Sequence, residues 1–350
     1  MACQEEDKQI QVVTLPEGYW ALSYMPELSY PEWLQVIEDA GKMGQITDDF
    51  ADKMITTLKR MPELDLGQHI IVSFSGGKDS QAIFILARMR YSKHVIVPLF
   101  ADTKDEWQDT YVFLNVFAEW MDIPINWADS MGIHHMLREV MPFFPKPGTR
   151  HCTKNLKMLP QRDWMDDRGY DQVRYDRQPA MLRNAKGKHK YPVLLQAPQM
   201  VSGERWQESE NRASLPFDER NETLLRWTHR PVLDWTIDEV WQLVFWMQSP
   251  VNEVYLKGIK RVACAGCIFA STKEIYTLGQ YDPEKLEEWV ETERIIGHPR
   301  NKTASFAKIY SKLVADGKLG RLAHLNPQRP LRPSFENIGG NVNEPSRASG

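Results

Sequence analysis

Apolar and polar residues change their spacing several times along the chain, and each change predicts a secondary-structure element. The run Ile70 to Phe74 is apolar apart from one serine, which favours a strand buried on both faces. Asp79 to Arg90 has helical spacing, and Val95 to Phe100 predicts a second strand. A helix from Trp107 to Met121 and a strand from Ile125 to Ala128 continue the alternation. This order predicts an α/β fold in which helices cover both faces of a parallel sheet and ligands bind at the carboxyl edge of the strands.

The N-terminal part of the chain has helical spacing without strands. Pro31 to Ala40 and Asp48 to Met61 predict two helices, and the turn-prone sequence Gly41 to Gly44 joins them. Farther along, the apolar run Val193 to Val201 predicts another buried strand. The expected domains are a helical extension at 1–65, a nucleotide-binding core at 66–260, a region with a cysteine loop and basic helices at 261–330, and a flexible tail at 331–350.

Composition narrows the class of protein. The 350 residues are 42% hydrophobic and 26% charged, which is typical of a soluble globular protein. The chain has four cysteines, no N-terminal apolar signal and no apolar run of membrane-spanning length. These features predict a reduced, cytoplasmic protein without a disulfide framework and without a membrane partner.

Charge is distributed unevenly, although the formal net charge is only −4. The segment 294–332 has nine Lys or Arg residues and a single acid, and the segment 174–190 has six against one acid. Such segments are candidates for contact with nucleic acid. Two alternatives remain open: 174–190 as a solvated loop, and 294–332 as an intramolecular match to the acidic segment 282–293.

The loop after the first predicted strand reads Ser75-Gly76-Gly77-Lys78-Asp79-Ser80. Two glycines allow a tight turn that points backbone N–H groups inward, and the following helix adds unpaired donors and partial positive charge. With Lys78, the loop therefore predicts an anion site. A Walker A loop is excluded because it would need Gly at position 72 and Ser or Thr at position 79, where the chain has Val72 and Asp79.

This loop resembles the PP-loop of the ATP pyrophosphatases, which activate a substrate with ATP and release pyrophosphate. Three later motifs follow in the order found in the phosphoadenosine phosphosulfate (PAPS) reductase-like branch of that superfamily, whose fold is Rossmann-like. They are Arg150-His151-Cys152-Thr153 with Lys157, the segment Ser202 to Arg212, and Arg230-Pro231 followed by Asp234-Trp235. The resemblance covers roughly residues 69 to 272 and is more specific for fold and ATP chemistry than for the substrate.

The resemblance implies roles for individual residues, with ATP and Mg²⁺ as ligands. The implied catalytic residues are Lys78, Asp79 and Asp102. The implied nucleotide contacts are Ser73, Ser75, Gly76, Gly77, Lys78, Asp79, Ser80, Asp102, Thr103, Gly203 and Arg205. The implied substrate contacts are Arg150, Lys154, Lys157, Glu208, Arg212 and Arg230. The chain departs from the family's Asp-Thr-Gly at Lys104, which stands in the place of the glycine.

A C-x-x-C pair, Cys264 and Cys267, is the second candidate chemical site. This spacing lets two thiolates point at one metal centre, although two reduced structural thiols would look the same. The resemblance adds Cys152 and implies a [4Fe-4S] cluster, with zinc as the runner-up and no metal as the third possibility. His151 stands where cluster-bearing relatives have a cysteine, so one iron either keeps an open site or takes His151, Cys3 or a substrate atom as its fourth ligand.

The same family contains reductases that need a mobile cysteine near the C-terminus, and no cysteine follows Cys267 here. The expected function is therefore an AMP-forming ATP pyrophosphatase that adenylates a substrate for sulfur transfer to or near nucleic acid. Its expected partners are ATP, nucleic acid, and a sulfur donor or partner protein, as in DNA phosphorothioation and tRNA thiolation relatives. The alternatives are a PAPS or adenosine phosphosulfate (APS) reductase, and a nucleotide-binding subunit of a CRISPR-type nucleoprotein complex.

Overall fold

A computed structural model describes residues 24–146, 148–170, 198–301 and 304–327, together with the backbone of 12–14 and 20–22. Its strands are β1 Val12–Thr14, β2 Trp20–Leu22, β3 Ile70–Ser73, β4 Ile96–Asp102, β5 Asn126–Asp129, β6 Gln199–Val201, β7 Asp218–Asn221 and β8 Arg226–His229. Its α-helices are α1 Tyr30–Lys42, α2 Asp48–Arg60, α3 Lys78–Arg90, α4 Gln108–Met121, α5 Ile133–His135, α6 His151–Thr153, α7 Leu159–Asp167, α8 Ile237–Trp246, α9 Thr272–Tyr281, α10 Pro283–Ile296 and α11 Phe306–Ala315. Cys3, Lys302, the basic segment 174–190 and the tail 331–350 lie outside the described residues.

Six strands form one sheet in the order β5-β4-β3-β6-β8-β7. Neighbouring strands are parallel except β7 and β8, which are antiparallel. The predicted Rossmann-like α/β fold is thereby confirmed, and the antiparallel edge is an addition to it. Strand β4 continues through Asp102, two residues beyond the predicted end. Within the described part of the predicted strand 193–201, only Gln199–Val201 pairs in the sheet.

The direction of the strand order changes at β3. Strand β4 pairs with β3 on one side and β6 pairs with it on the other. In open α/β sheets, the loops that leave two such strands in opposite directions create a crevice at the carboxyl edge. The loop 74–77 after β3 and the loop 202–205 after β6 both leave at this edge, so the glycine-rich loop lies where this class of fold binds ligands.

Helix α3 begins at Lys78 and is almost wholly buried, because eleven of its thirteen residues are inaccessible to solvent. Helices α1 and α2 pack against it, and their residues Trp33 and Met54 belong to the same apolar core as Phe84 of α3. The Lys53 ammonium forms an ion pair with Glu239 at 2.8 Å and so ties α2 to α8. The N-terminal helices are therefore packed into the α/β core. No helix in the described ranges is both long enough and apolar enough to span a bilayer.

A second apolar core forms around Trp289 and contains residues from α9, α10 and α11. Val262 and Ala265, which flank Cys264, belong to it. The segment that carries Cys152 is helical: α6 starts at His151, a π-helical turn follows at Lys154–Met158, and α7 continues the helix. A π-turn inside a helix is a frequent feature of functional sites.

Candidate active site

The glycine-rich loop is held by contacts from distant parts of the chain. Gly76 has a φ of +72°, a conformation that favours glycine. Its carbonyl oxygen accepts a hydrogen bond from the Asn252 side chain at 3.0 Å. The Ser80 hydroxyl donates to the Gly77 carbonyl at 2.9 Å and accepts from the Ser75 N–H at 3.1 Å. These bonds fix the loop before any ligand binds.

Several N–H groups of this loop have no partner. Among the described residues, the N–H groups of Gly76, Gly77, Asp79 and Ser80 form no hydrogen bond. The Lys78 N–H, by contrast, donates to the Tyr255 hydroxyl at 2.8 Å. Buried backbone donors without a partner are rare, and at a helix N-terminus they favour an anion. The loop thus has the donor arrangement of a phosphate site.

Lys78, Asp79 and Arg205 form a charged chain at the start of α3. The Lys78 ammonium lies 3.0 Å from one Asp79 oxygen, and the Arg205 guanidinium lies 2.5 Å from the other. Lys78 is 4% exposed and Arg205 is 3% exposed, so both cations are buried, while the Asp79 side chain between them is 15% exposed. Gly203 packs over the same turn, where a Cβ would lie 2.4 Å from the Asp79 carbonyl oxygen. The structure therefore brings together the implied nucleotide contacts from both loops of the crevice.

The end of strand β4 connects this loop region to the cysteines. Asp102 is buried and accepts hydrogen bonds from the Lys104 N–H at 2.8 Å and the Tyr111 hydroxyl at 2.9 Å. Lys104 has a φ of +62° and so keeps the left-handed conformation typical of the glycine it replaces. The Thr103 hydroxyl lies 3.1 Å from the Cys264 sulfur. The end of strand β4 is therefore in direct contact with Cys264 of the thiol pair.

One carboxylate holds the C-x-x-C loop. Asp105 is 1% exposed, and its Oδ2 accepts the Gly266 N–H and the Trp289 indole N–H, each at 3.0 Å. Its backbone carbonyl accepts the Ala265 N–H at 2.6 Å. Gly266 lies so close to Trp289 that a Cβ would be 1.8 Å from the indole nitrogen. The loop therefore requires both a glycine and this acid.

The surroundings of Cys264 and Cys267 favour the neutral thiol over the charged thiolate. Burial raises the pKa of Cys264, and the nearby Glu106 carboxylate adds to the effect. Burial likewise raises the pKa of Cys267. Burial also raises the pKa of Glu106, while Lys157 opposes that shift. Burial alone would lower the pKa of Lys157, but the neighbouring Cys264 and Glu106 groups outweigh it and raise the pKa. The Lys157 charge in turn opposes the raised pKa of both thiols.

The residues implied for a metal do not form a metal site as they lie. In the part of the chain that the structure describes, no three His, Cys, Asp or Glu side chains are grouped to hold a metal ion. Cys152 lies beside the second core, and burial lowers the pKa of His151, whose two ring nitrogens have no partner. The [4Fe-4S] cluster and the zinc site therefore remain predictions from the resemblance.

The other implied residues have varied surroundings. Gln161 donates to the Ser73 hydroxyl at 3.3 Å, and Arg212 forms an ion pair with Glu208. Arg230 is 3% exposed and is engaged by Glu204 and Glu219 at the β7–β8 edge, so its contacts in this structure are internal. The Arg150 guanidinium lies instead beside the Phe269 ring of the cysteine loop. Lys154 is exposed at the surface.

Several residues that shape the site were not predicted from the sequence. Tyr255 and Asn252 reach the glycine-rich loop from more than 170 positions away, and Arg300 donates to the carbonyl oxygens of Cys267 and Ala270. No local pattern marks such long-range contacts. Asp105 did carry a signal, because it is an acid in the turn directly after a strand at the ligand edge.

Known proteins of similar sequence match different shares of this chain. A protein of Methanocaldococcus jannaschii of uncharacterised function is 23% identical over 71% of this chain and 54% of its own length. A protein of Escherichia phage 186 is 26% identical over 65% of this chain and 75% of its own length. The adenosine 5'-phosphosulfate reductase of Neisseria meningitidis is 26% identical over 28% of this chain and 39% of that enzyme. The chain thus spans about half the length of the archaeal relative.

Solved structures show partial similarity of fold. FMN adenylyltransferase of Candida glabrata superposes with a TM-score of 0.44 and 12% identity, over 68% of this chain and 72% of that one. The PAPS reductase of Candida auris gives a TM-score of 0.40 at 12% identity, over 67% and 96%. Because both TM-scores are below 0.5, the assignment rests on the sequence family. The model of the phosphoadenosine phosphosulfate reductase domain matches residues 69–270, more than half of the chain, and the chain therefore belongs to that family.

Proposed function

We propose that this protein is an AMP-forming ATP pyrophosphatase that adenylates a second substrate, with sulfur transfer as the following step. The observation that carries the proposal is the glycine-rich loop, in which four N–H groups without partners surround the start of a buried helix. A pyrophosphate group offers the several oxygens that such a set of donors can bind.

The charged chain beside the loop supports the same ligand. Lys78 adds a full positive charge next to the N–H groups, and Arg205 holds Asp79 from the opposite side. Buried at low dielectric, such fixed groups stabilise charge that develops on a leaving pyrophosphate. Mg²⁺ is commonly held by one or two carboxylates and the substrate phosphates. Asp79 is the carboxylate placed to contribute, and the ion would supply charge neutralisation there.

The proposed reaction is a displacement at the α-phosphorus. An oxygen of the second substrate forms a bond to that phosphorus, the bond to the bridging oxygen of pyrophosphate breaks, and any proton on the attacking oxygen passes to solvent. The products are an adenylated substrate and pyrophosphate. A sulfur donor would then displace AMP from the adenylate. We assign no step to Cys264 or Cys267, because burial keeps both thiols protonated near neutral pH.

Product analysis tests the proposal. The protein is incubated with Mg²⁺ and ATP labelled at the α-phosphate, with and without short oligonucleotides, and the nucleotides are separated by chromatography. Pyrophosphate is the expected product, with the label on the adenylated substrate or on AMP released when water cleaves the adenylate. ADP and inorganic phosphate as main products would overturn the assignment. Calorimetric titration with ATP and Mg²⁺ measures the binding step alone, so a nucleotide-binding protein without turnover would be recognised.

A further inference from the structure

Two cationic side chains at the cysteine loop have no ionic partner. Arg150 and Arg261 form no salt bridge or side-chain hydrogen bond within the described ranges. Arg261 is exposed, and Arg150 is partly so. Elsewhere the chain pairs comparable groups internally, as Arg230 and Arg300 show. Unpaired cations at the rim of a candidate active site are available to an anionic ligand.

An exposed aromatic ring lies beside one of these cations. Phe269 is 41% exposed, and the Arg150 guanidinium lies 5.0 Å from the centre of its ring. The ring follows Cys267 by two residues, so it belongs to the same loop. An exposed aromatic ring beside Arg side chains is the arrangement with which proteins bind single-stranded nucleic acid, since a base stacks on the ring and phosphates meet the cations.

Arg261 lies between the two halves of the site. Val262, which follows Arg261 in the chain, is one of the residues nearest to Gly77 in the glycine-rich loop. Cys264, on the same segment, contacts Thr103 at the end of β4. Burial raises the pKa of Cys267 and of Tyr255, and the nearby Arg261 charge opposes both shifts. A phosphate held by Arg261 would therefore lie beside the position proposed for the adenylation step.

We infer that the rim formed by Arg150, Arg261 and Phe269 binds a single-stranded nucleic acid, with its phosphates on the cations and a base on the exposed ring. The inference rests on the proposed function in that it names the substrate class for the same site. A free nucleotide or a sulfate ester would offer similar oxygens. Such a small ligand would not require cations on two chain segments together with an exposed aromatic side chain. A single-stranded nucleic acid uses both features and therefore fits better.

Fluorescence anisotropy with a labelled single-stranded oligonucleotide of about twelve nucleotides, as DNA and as RNA, tests the inference without ATP. We expect Arg261→Ala and Arg150→Ala each to weaken binding and to reduce the slope of log affinity against log salt by about 0.7. Phe269→Ala should weaken binding about 5- to 150-fold with an unchanged slope. Lys59→Ala, at an exposed lysine of α2, is the matched control and should leave both quantities unchanged.

The possible results separate this inference from the proposed function. Absence of oligonucleotide binding by the wild-type protein, or equal affinity in all variants, overturns the rim as a strand site. Displacement of the oligonucleotide by adenosine 3',5'-bisphosphate at equal phosphate concentration assigns the rim to a small anion and also overturns it. ATP titration of the wild-type protein decides the pyrophosphatase separately. Thermal melting of each variant shows whether a loss of binding reflects unfolding.

Discussion

Gly203 lies against the peptide that joins Asp79 to Ser80, and a Cβ on it would be 2.4 Å from the Asp79 carbonyl oxygen and 2.8 Å from the Ser80 nitrogen. Both atoms are backbone at the start of α3, so Gly203→Ala must displace the loop after β6 or the glycine-rich loop. We expect the variant to lose about 1–3 kcal/mol of stability and most of its ATP affinity. Urea unfolding and calorimetric titration measure the two effects.

Gly148→Ala is the control, because a Cβ at Gly148 would meet no atom within 4 Å. It should retain ATP affinity and stability. If Gly203→Ala also bound ATP with unchanged affinity, the crevice between β3 and β6 would not be the nucleotide site.

Lys78→Ala should slow the release of pyrophosphate. The ammonium is buried beside the loop donors, and a charge-assisted hydrogen bond contributes about 1.5–3 kcal/mol, equivalent to roughly ten- to 150-fold. Coupled detection of pyrophosphate gives the rate. Lys42→Ala, in the exposed last turn of α1, provides a lysine control that should keep the wild-type rate. An undiminished rate in Lys78→Ala would remove this lysine from the mechanism.

The ion pair between Lys53 and Glu239 predicts a pH-dependent contribution to stability. Burial alone would raise the pKa of Glu239, but hydrogen bonds from Lys53 and the Thr236 N–H lower it below 4.5. A carboxylate with a lowered folded pKa stabilises the protein above its unfolded pKa, and this contribution disappears as pH falls through the folded value. Lys53→Ala should therefore destabilise the protein by about 1 kcal/mol at pH 7 and progressively less below pH 4.5.

Urea unfolding at a series of pH values measures this dependence, with Lys59→Ala from the same helix as the control. The difference between wild type and the control should stay flat across the acid range. A constant loss of stability in Lys53→Ala at every pH would mean that the lysine acts through packing instead of charge.

Metal content tests the centre that the resemblance implies for Cys152, Cys264 and Cys267. We expect the anaerobically purified protein to contain metal that Cys264→Ser removes, because the resemblance joins these thiols in one centre. Stoichiometric zinc without iron would assign the site to the runner-up, and wild-type protein without bound metal would contradict both assignments. Iron and sulfide measured in the same anaerobic sample test the cluster implied by the resemblance, because a cluster would bring them in equal amounts.

Much of the fold could be predicted because strand and helix periodicity is a local signal. The strands before and after helix α3 were predicted within one or two residues. The β7–β8 pair was missed because Asp218–Asn221 consists of polar and charged residues, which give no buried-strand pattern. In the site, motif spacing identified Gly203, whereas the contact of Tyr255 with Lys78 joins positions 177 residues apart and leaves no trace in either segment.

The basic segment 294–332 is divided by the structure. Arg300 is used internally, and so is part of the acidic segment, because Glu293 accepts N–H groups of Arg300 and Ala307. Lys312 and Lys318 instead lie about the Tyr276 ring, each 6.0 Å from its centre. If nucleic acid binds here, replacing Lys308, Lys312 and Lys318 with alanine should flatten the salt slope by roughly two to three units. An unchanged slope would assign this patch to folding or to a protein partner.

Asp105 couples the turn after β4 to the loop that carries Cys264 and Cys267. The turn at the end of β4 carries Asp102 and Thr103 at the ligand edge. Three residues after Asp102, Asp105 accepts hydrogen bonds from Ala265, Gly266 and Trp289. A ligand that moves this turn must therefore pull on the thiol loop and, through Trp289, on helix α10. Exchange of the Ala265 and Gly266 amide hydrogens would then report occupancy of a site to which neither residue belongs.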